Sequence, residues 1–158
     1  MRFNFPSEQF PALTAVSVDV PEGWGPDTAG PAIMVFFDAN SPDEFRTNVT
    51  ITVERVDADT SPDVIAEKFA AQMSSEQQFT VHGEEHAEVG GRPALLRAQS
   101  FEPEGFAIPV FQTQCLVVVP TASQACSDLV VVHATCSGAH AERYGVVFRE
   151  IFDSLQFG

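Results

Sequence analysis

Positive charge is what this sequence has least of. Seven Arg and a single Lys, Lys68, stand against 22 Asp and Glu, giving a formal net charge of −14 over 158 residues. Such a field repels phosphate backbones and anionic lipid surfaces, and the basic residues are scattered rather than gathered into a patch. Nucleic acid is thereby excluded as a partner. Membrane insertion is excluded by the lack of any run near the ~20 apolar residues a spanning helix needs. Cysteine is scarce too. Cys115, Cys126 and Cys136 make an odd set without CxxC spacing, which argues against a zinc ribbon and a disulfide framework. One bridge stays open if the protein is exported. No apolar leader follows the opening MRFNFPSEQFP, so the expected placement is cytoplasmic, the alternative being an exported or lipoprotein domain with its leader removed.

What is present is a chain with 44% apolar residues, enough for one globular domain over residues 1–158. Residues 16–21 (VSVDVP) alternate as a strand does, and residues 32–38 (AIMVFFD) are apolar on both faces. Between them lies a Gly/Pro-rich loop with the only Trp, Trp24. In residues 48–56, Val49, Ile51 and Val53 share one face. Ser61, Pro62 and Asp63 then read as N-cap, first helical position and acidic first turn of a helix striped by Val64, Ile65, Phe69 and Met73. Four further strand-like runs (79–89, 92–101, 110–119, 129–136) precede a second amphipathic helix. From about Ala139, its Tyr144, Val147, Phe148, Ile151, Phe152 and Leu155 fall at steps of three and four. This order predicts an α+β fold: an α/β/α sandwich whose central, mainly antiparallel sheet of six to seven strands is flanked by helices.

Gly90-Gly91, with Arg92 behind it, has two readings: a phosphate cradle or a hairpin turn. A phosphate loop should run into a helix N-terminus. Pro93 and an alternating run follow instead, so the turn is preferred. A two-residue turn pairs Val89 with Arg92 and sets Glu84 across from Arg97. It places Thr80, His82, Glu84, His86 and Glu88 on one face and leaves the other small and apolar enough for a helix to approach.

These elements carry a resemblance. VDVPEGW near the start, the mid-chain helix, Val89, Gly91, Pro93 and Ala94 in a V-x-G-x-P-A hairpin, and the amphipathic last helix resemble the Mog1/PsbP-like proteins, above all their LpqN- and DcrB-type bacterial members. The resemblance covers residues 13–157. It implies a sheet sandwiched between helices and a non-catalytic, partner-binding or accessory role, with no catalytic motif or cofactor to carry over. Many bacterial members are lipoproteins, and this sequence has no lipobox cysteine near its start.

Three candidate sites remain. His82, Glu84 and His86 could ligate a metal and activate water, giving a metal-dependent hydrolase. Side chains two apart on a strand project in parallel, however, so a solvated face is the preferred reading. Cys126, Ser127 and Asp128 with His133 or His140 could support nucleophilic catalysis, but no G-x-S-x-G elbow is present and His133 lies in the apolar run LVVVHATC. Trp24, Phe45, Phe101, Phe106 and Ile108 are candidate contacts for a protein partner or a homodimer, with Trp24 favoured as a plug at one end of the sheet. The expectation is a protein-binding or chaperone-like accessory domain without cofactor. A carrier of a small apolar ligand is an alternative if a pocket of ~300 Å³ lies between sheet and helix. Asn48-Val49-Thr50 matches a glycosylation sequon but falls inside a strand.

Overall fold

The computed structural model describes residues 1–28 and 30–158. Its strands are β1 (Val16–Ser17), β2 (Trp24–Asp27), β3 (Met34–Asp38), β4 (Asn48–Asp57), β5 (Gln77–Val89), β6 (Arg92–Glu102), β7 (Val110–Pro120), β8 (Cys126–Ser137) and β9 (Gln156–Phe157). Helix α1 (Pro62–Met73) follows β4, and α2 (Ala141–Asp153) follows β8 through a 3-10 turn at Gly138–His140. Seven strands form one antiparallel sheet in the order β2-β3-β4-β8-β7-β6-β5. The expected α+β sandwich is therefore present, with one helix on each face.

Burial divides the molecule into two cores. Val49, Ile51, Leu96, Cys115, Val117, Val130 and Val132 pack under Tyr144, Phe148, Ile151, Phe152 and Leu155 from α2 and its end. On the other face Leu95, Leu116, Leu129 and Val131 meet Ala66, with Ile65 and Phe69 alongside. The central strands read as nearly continuous apolar runs because both of their faces are covered.

Helix α1 starts as its sequence dictates. The Ser61 hydroxyl accepts the Asp63 N–H at 3.3 Å, and Pro62 occupies the first turn. Its buried face is rotated from the expected stripe, for Ala66 is fully buried while Val64 is 48% exposed. Arg97 explains the rotation. This 3%-exposed guanidinium on β6 donates through Nη1 to the Ala66 carbonyl and through Nε to Glu84 at 2.8 Å, drawing the small residue down to the sheet.

Three further expectations are corrected. The loop around Trp24 is a strand, and β2 tolerates Pro26 because it is an edge. Of residues 16–21 only Val16 and Ser17 are strand, and they pair with β9 outside the main sheet. The hairpin register holds from Val89–Arg92 through Glu84–Arg97 to Gly83–Ala98, then shifts by one so that Val81 faces Gln99. The shift is a bulge at His82, beside a glycine inside a strand.

Candidate functional site

The bulge dissolves the proposed metal stripe. His86 Nε2 lies 2.9 Å from Asp63 at the start of α1, and Glu84 accepts from Arg97 on that same face. His82 instead meets the Ser100 hydroxyl at 2.7 Å and lies near the Phe111 ring. Among the described residues no three His, Cys, Asp or Glu side chains are placed to hold a metal ion.

The nucleophile candidates are equally dispersed. Asp128, fully buried, accepts from Arg55 Nε at 3.0 Å and from the Thr14 N–H and hydroxyl. His133 is seven residues from Cys126 along β8, about 23 Å. Burial pushes its pKa down to about 4, and it accepts the Gln114 amide at Nε2, 3.0 Å away, under the Phe69 ring. His140 precedes α2 with Nε2 3.6 Å from Asp43. The thiols of Cys115 and Cys136 are inert in the core, where desolvation raises both pKa values to about 12. All three cysteines are unpaired.

His133 belongs to a polar layer that the sequence reading did not single out. On the α1 face, Gln99 donates to Gln112 at 2.8 Å and Gln112 to Thr135 at 3.1 Å. The Oε1 atoms of Gln99 and Gln114 and the Ser137 hydroxyl are buried without a partner. The signal was available: Gln99, Gln112 and Gln114 fall at alternate positions of β6 and β7, on the face that the apolar Leu95 and Leu116 share. Burial disfavours the charged form of His133. The unfolded chain takes up a proton below about pH 6.5, whereas the native chain resists until about pH 4, so stability falls as pH drops through that window. Between pH 7 and pH 4.5 the wild type should lose about 2–3 kcal/mol more than His133→Gln in parallel urea melts.

The five proposed partner contacts separate. Trp24 pairs opposite Asp38 and packs against the α2-side core, as a plug would. Phe45 and Phe106, 61 positions apart, bring their rings edge-to-face at 6.3 Å. They meet where residues 39–47 and 103–109 converge at one end of the sandwich. Tyr144 pins the first of these segments through its hydroxyl, which donates to buried Asp38 at 2.6 Å. Burial, then the Asp38 hydrogen bond, raises the pKa of that phenol. The second segment is fixed by the Gly138 N–H on the Pro109 carbonyl at 2.8 Å. Phe106 is 57% exposed, while Phe101 and Ile108 are half-buried. Beside Phe106 opens a recess of about 350 Å³ lined by Glu76, Glu102 and Glu104 with no basic side chain.

Two recesses lie beside α2. One recess of about 340 Å³ lies between Gly83, Ala98 and Thr113 on the sheet and Gly145, Arg149 and Phe152 on or beside the helix. The next row of the sheet, Ser100 and Phe111 with His82, faces Ala141 across a second recess of about 420 Å³. Arg149 bridges to Glu85 at 3.0 Å at the rim.

No protein-family model and no curated protein sequence matches this chain. Solved structures do. LpqN of Mycobacterium tuberculosis, described as involved in cell envelope biogenesis, superposes with a TM-score of 0.74 at 16% identity, over 91% of this chain and 83% of that one. Cyanobacterial PsbP (CyanoP) of Synechocystis gives 0.59 at 11% identity, over 93% and 94%. The Ran-binding protein Mog1p of Saccharomyces cerevisiae gives 0.54 at 10% identity, over 90% and 89%. At these identities the likeness is one of architecture: the chain has the Mog1/PsbP-like fold.

Proposed function

We propose that the protein is a non-catalytic accessory domain, formed by residues 1–158, that binds another protein at the Phe45–Phe106 end. The observation that carries this reading is the 57%-exposed Phe106, held by Phe45 next to a three-carboxylate recess. An aromatic anchor inside a polar rim is how interface energy is usually concentrated. The carboxylates select the partner's charge: a segment with Lys or Arg near an apolar residue satisfies both the recess and the ring. Mog1p, of the same fold, is a Ran-binding protein, which makes a protein ligand a natural use of this architecture. Dispersal of the His, Cys and Asp candidates supports a role without chemistry at those residues. Three unpaired thiols suit a reducing compartment and support the cytoplasmic placement. Among the described residues no helix is long and apolar enough to cross a membrane.

A carrier role has one supporting observation, the recess of about 340 Å³ between sheet and α2. That recess is an open depression, whereas carried ligands are enclosed over most of their surface. The test of the binding reading compares wild type with Phe106→Asp as bait in lysate of the native host, followed by mass spectrometry. A specific partner retained by the wild type should fall at least ~10-fold with the variant, as loss of one anchor predicts. Equal recovery on both baits would remove the Phe106 end as the docking site.

A further inference from the structure

A sheet offers unused hydrogen bonds at its edges, and the two edges of this one differ. Strand β2, at one end, has 4 residues and includes Gly25 and Pro26. Strand β5, at the other, has 13 residues and contains no proline. Its pairing with β6 is unbroken from Gly83 to Val89, and residues 80–86 are all exposed. The two-residue turn fixes which of its backbone groups are free. Val89 and Arg92 flank that turn, so they exchange both of their backbone hydrogen bonds. Alternation then turns the N–H and C=O of Ala87, Glu85 and Gly83 toward β6, and those of Glu88, His86 and Glu84 away from the sheet. Among the described residues no other backbone segment bonds to these outward groups.

The side chains along this row decide what can pair with it. On the α1 face, Glu88 forms no ion pair among the described residues. Asp63 reaches the same row through its contact with His86, and Arg97 occupies only Oε1 of Glu84. On the α2 face, Glu85 is already matched by Arg149 at 3.0 Å, and its neighbours there are Gly83 and Ala87. A second copy would bring its own carboxylates against this row, and each molecule has a net charge of −14, so self-pairing is opposed. A strand with Lys or Arg at every second position meets no such repulsion. Its cations face Glu84, Asp63 and Glu88, while its other side chains, small or apolar, lie beside Gly83 and Ala87.

We propose that β5 is a docking edge for an extended basic segment of another protein, which joins the sheet through the free backbone groups of Glu84, His86 and Glu88. The backbone supplies the affinity and the acidic row selects the charge. Glu84, His86 and Glu88 lie toward the Gly90-Gly91 turn, at the opposite end of β5 from Glu76 and the Phe106 recess. The edge and the Phe106 end are therefore tested separately.

The probe is a fluorescein-labelled nonapeptide that alternates Val and Lys, titrated with the full chain and followed by anisotropy. The wild type should bind it with a Kd below about 1 mM, more weakly as salt rises. Two further peptides carry N-methyl groups, one on its Lys residues and one on its Val residues. Edge pairing uses the N–H groups of only one set, so one of the two should bind at least ~10-fold more weakly and the other like the parent. Charge attraction alone would not tell them apart. In the protein, amide hydrogen exchange at Glu84, His86 and Glu88 should slow when the peptide is saturating. His86→Pro removes one outward N–H and no bond to β6, a substitution that edge positions accept, and should weaken binding at least ~10-fold. Glu88→Lys leaves the strand intact and should weaken it at least ~5-fold at low salt. Phe106→Asp should bind as the wild type does. A wild type that does not bind overturns the proposal, and so does equal affinity for the two N-methylated peptides. Unchanged exchange at the three amides, full binding by either β5 variant, or loss of binding in Phe106→Asp overturns it as well.

Discussion

Phe148→Ala should destabilise the fold by about 3–5 kcal/mol, the range for removing a fully buried phenyl group. Phe148 is inaccessible to solvent and stacks on Tyr144 with ring centroids 5.9 Å apart. Tyr144 in turn holds Asp38 and, through it, the β3–β4 connection that carries Phe45. The void would open at the centre of the α2-side core, where rigid sheet residues below cannot collapse into it. For a chain of this size the loss corresponds to a fall in Tm of roughly 6–20 °C. Val146→Ala is the control: the same helix, a side chain 63% exposed, and an expected change within ~0.5 kcal/mol. Equal melts for the two variants would mean that α2 does not dock through Phe148. Because Tyr144 loses its stacking partner, partner capture at the Phe106 end should weaken as well, which couples this core to the proposed site.

The elements that were legible in the sequence are those set by local rules. Two glycines fix a two-residue turn, the turn fixes the register, and the register delivers the Glu84–Arg97 pair. Ser61, Pro62 and Asp63 fix where α1 begins, and a wide apolar stripe fixes α2. What was not legible depends on distant parts of the chain. The bulge at His82 moves one imidazole to the α2 face, and only Gly83 beside it hinted at the break. Which turn of α1 faces the sheet is decided by Arg97 reaching the Ala66 carbonyl, an event 31 positions apart in sequence. Strand β2 hides behind Gly25 and Pro26, residues that an edge position accepts and a central one would not. The Phe45–Phe106 contact joins two loops whose meeting no periodicity encodes. The candidate site was thus readable as a set of aromatic residues, but not as a surface: Trp24 went to the core, and two phenylalanines went to each other.

The hairpin supplies the other large effect, and the two glycines of its turn should differ. Both have positive φ, +57° at Gly90 and +72° at Gly91, as the turn type requires. A Cβ on Gly91 would meet nothing within 4 Å, so Gly91→Val bears only the left-handed strain, about 1–2 kcal/mol. A Cβ on Gly90 would lie 2.7 Å from the Phe157 ring and 2.8 Å from the Leu155 carbonyl. The ring can rotate away, but the carbonyl is backbone between α2 and β9, so Gly90→Val must push that segment off the turn. Its cost should exceed that of Gly91→Val by at least ~2 kcal/mol, adding overpacking to the same backbone strain. Urea melts of both variants measure the difference, and equal midpoints would show that the chain end does not rest on the turn. The same contact disposes of the phosphate reading, because the concave side of Gly90 is already filled by the protein's own C-terminal strand. Adding Phe157→Ala to Gly90→Ala should recover part of the loss, while the Leu155 carbonyl keeps the rest, so the cycle separates the contribution of the ring from that of the backbone.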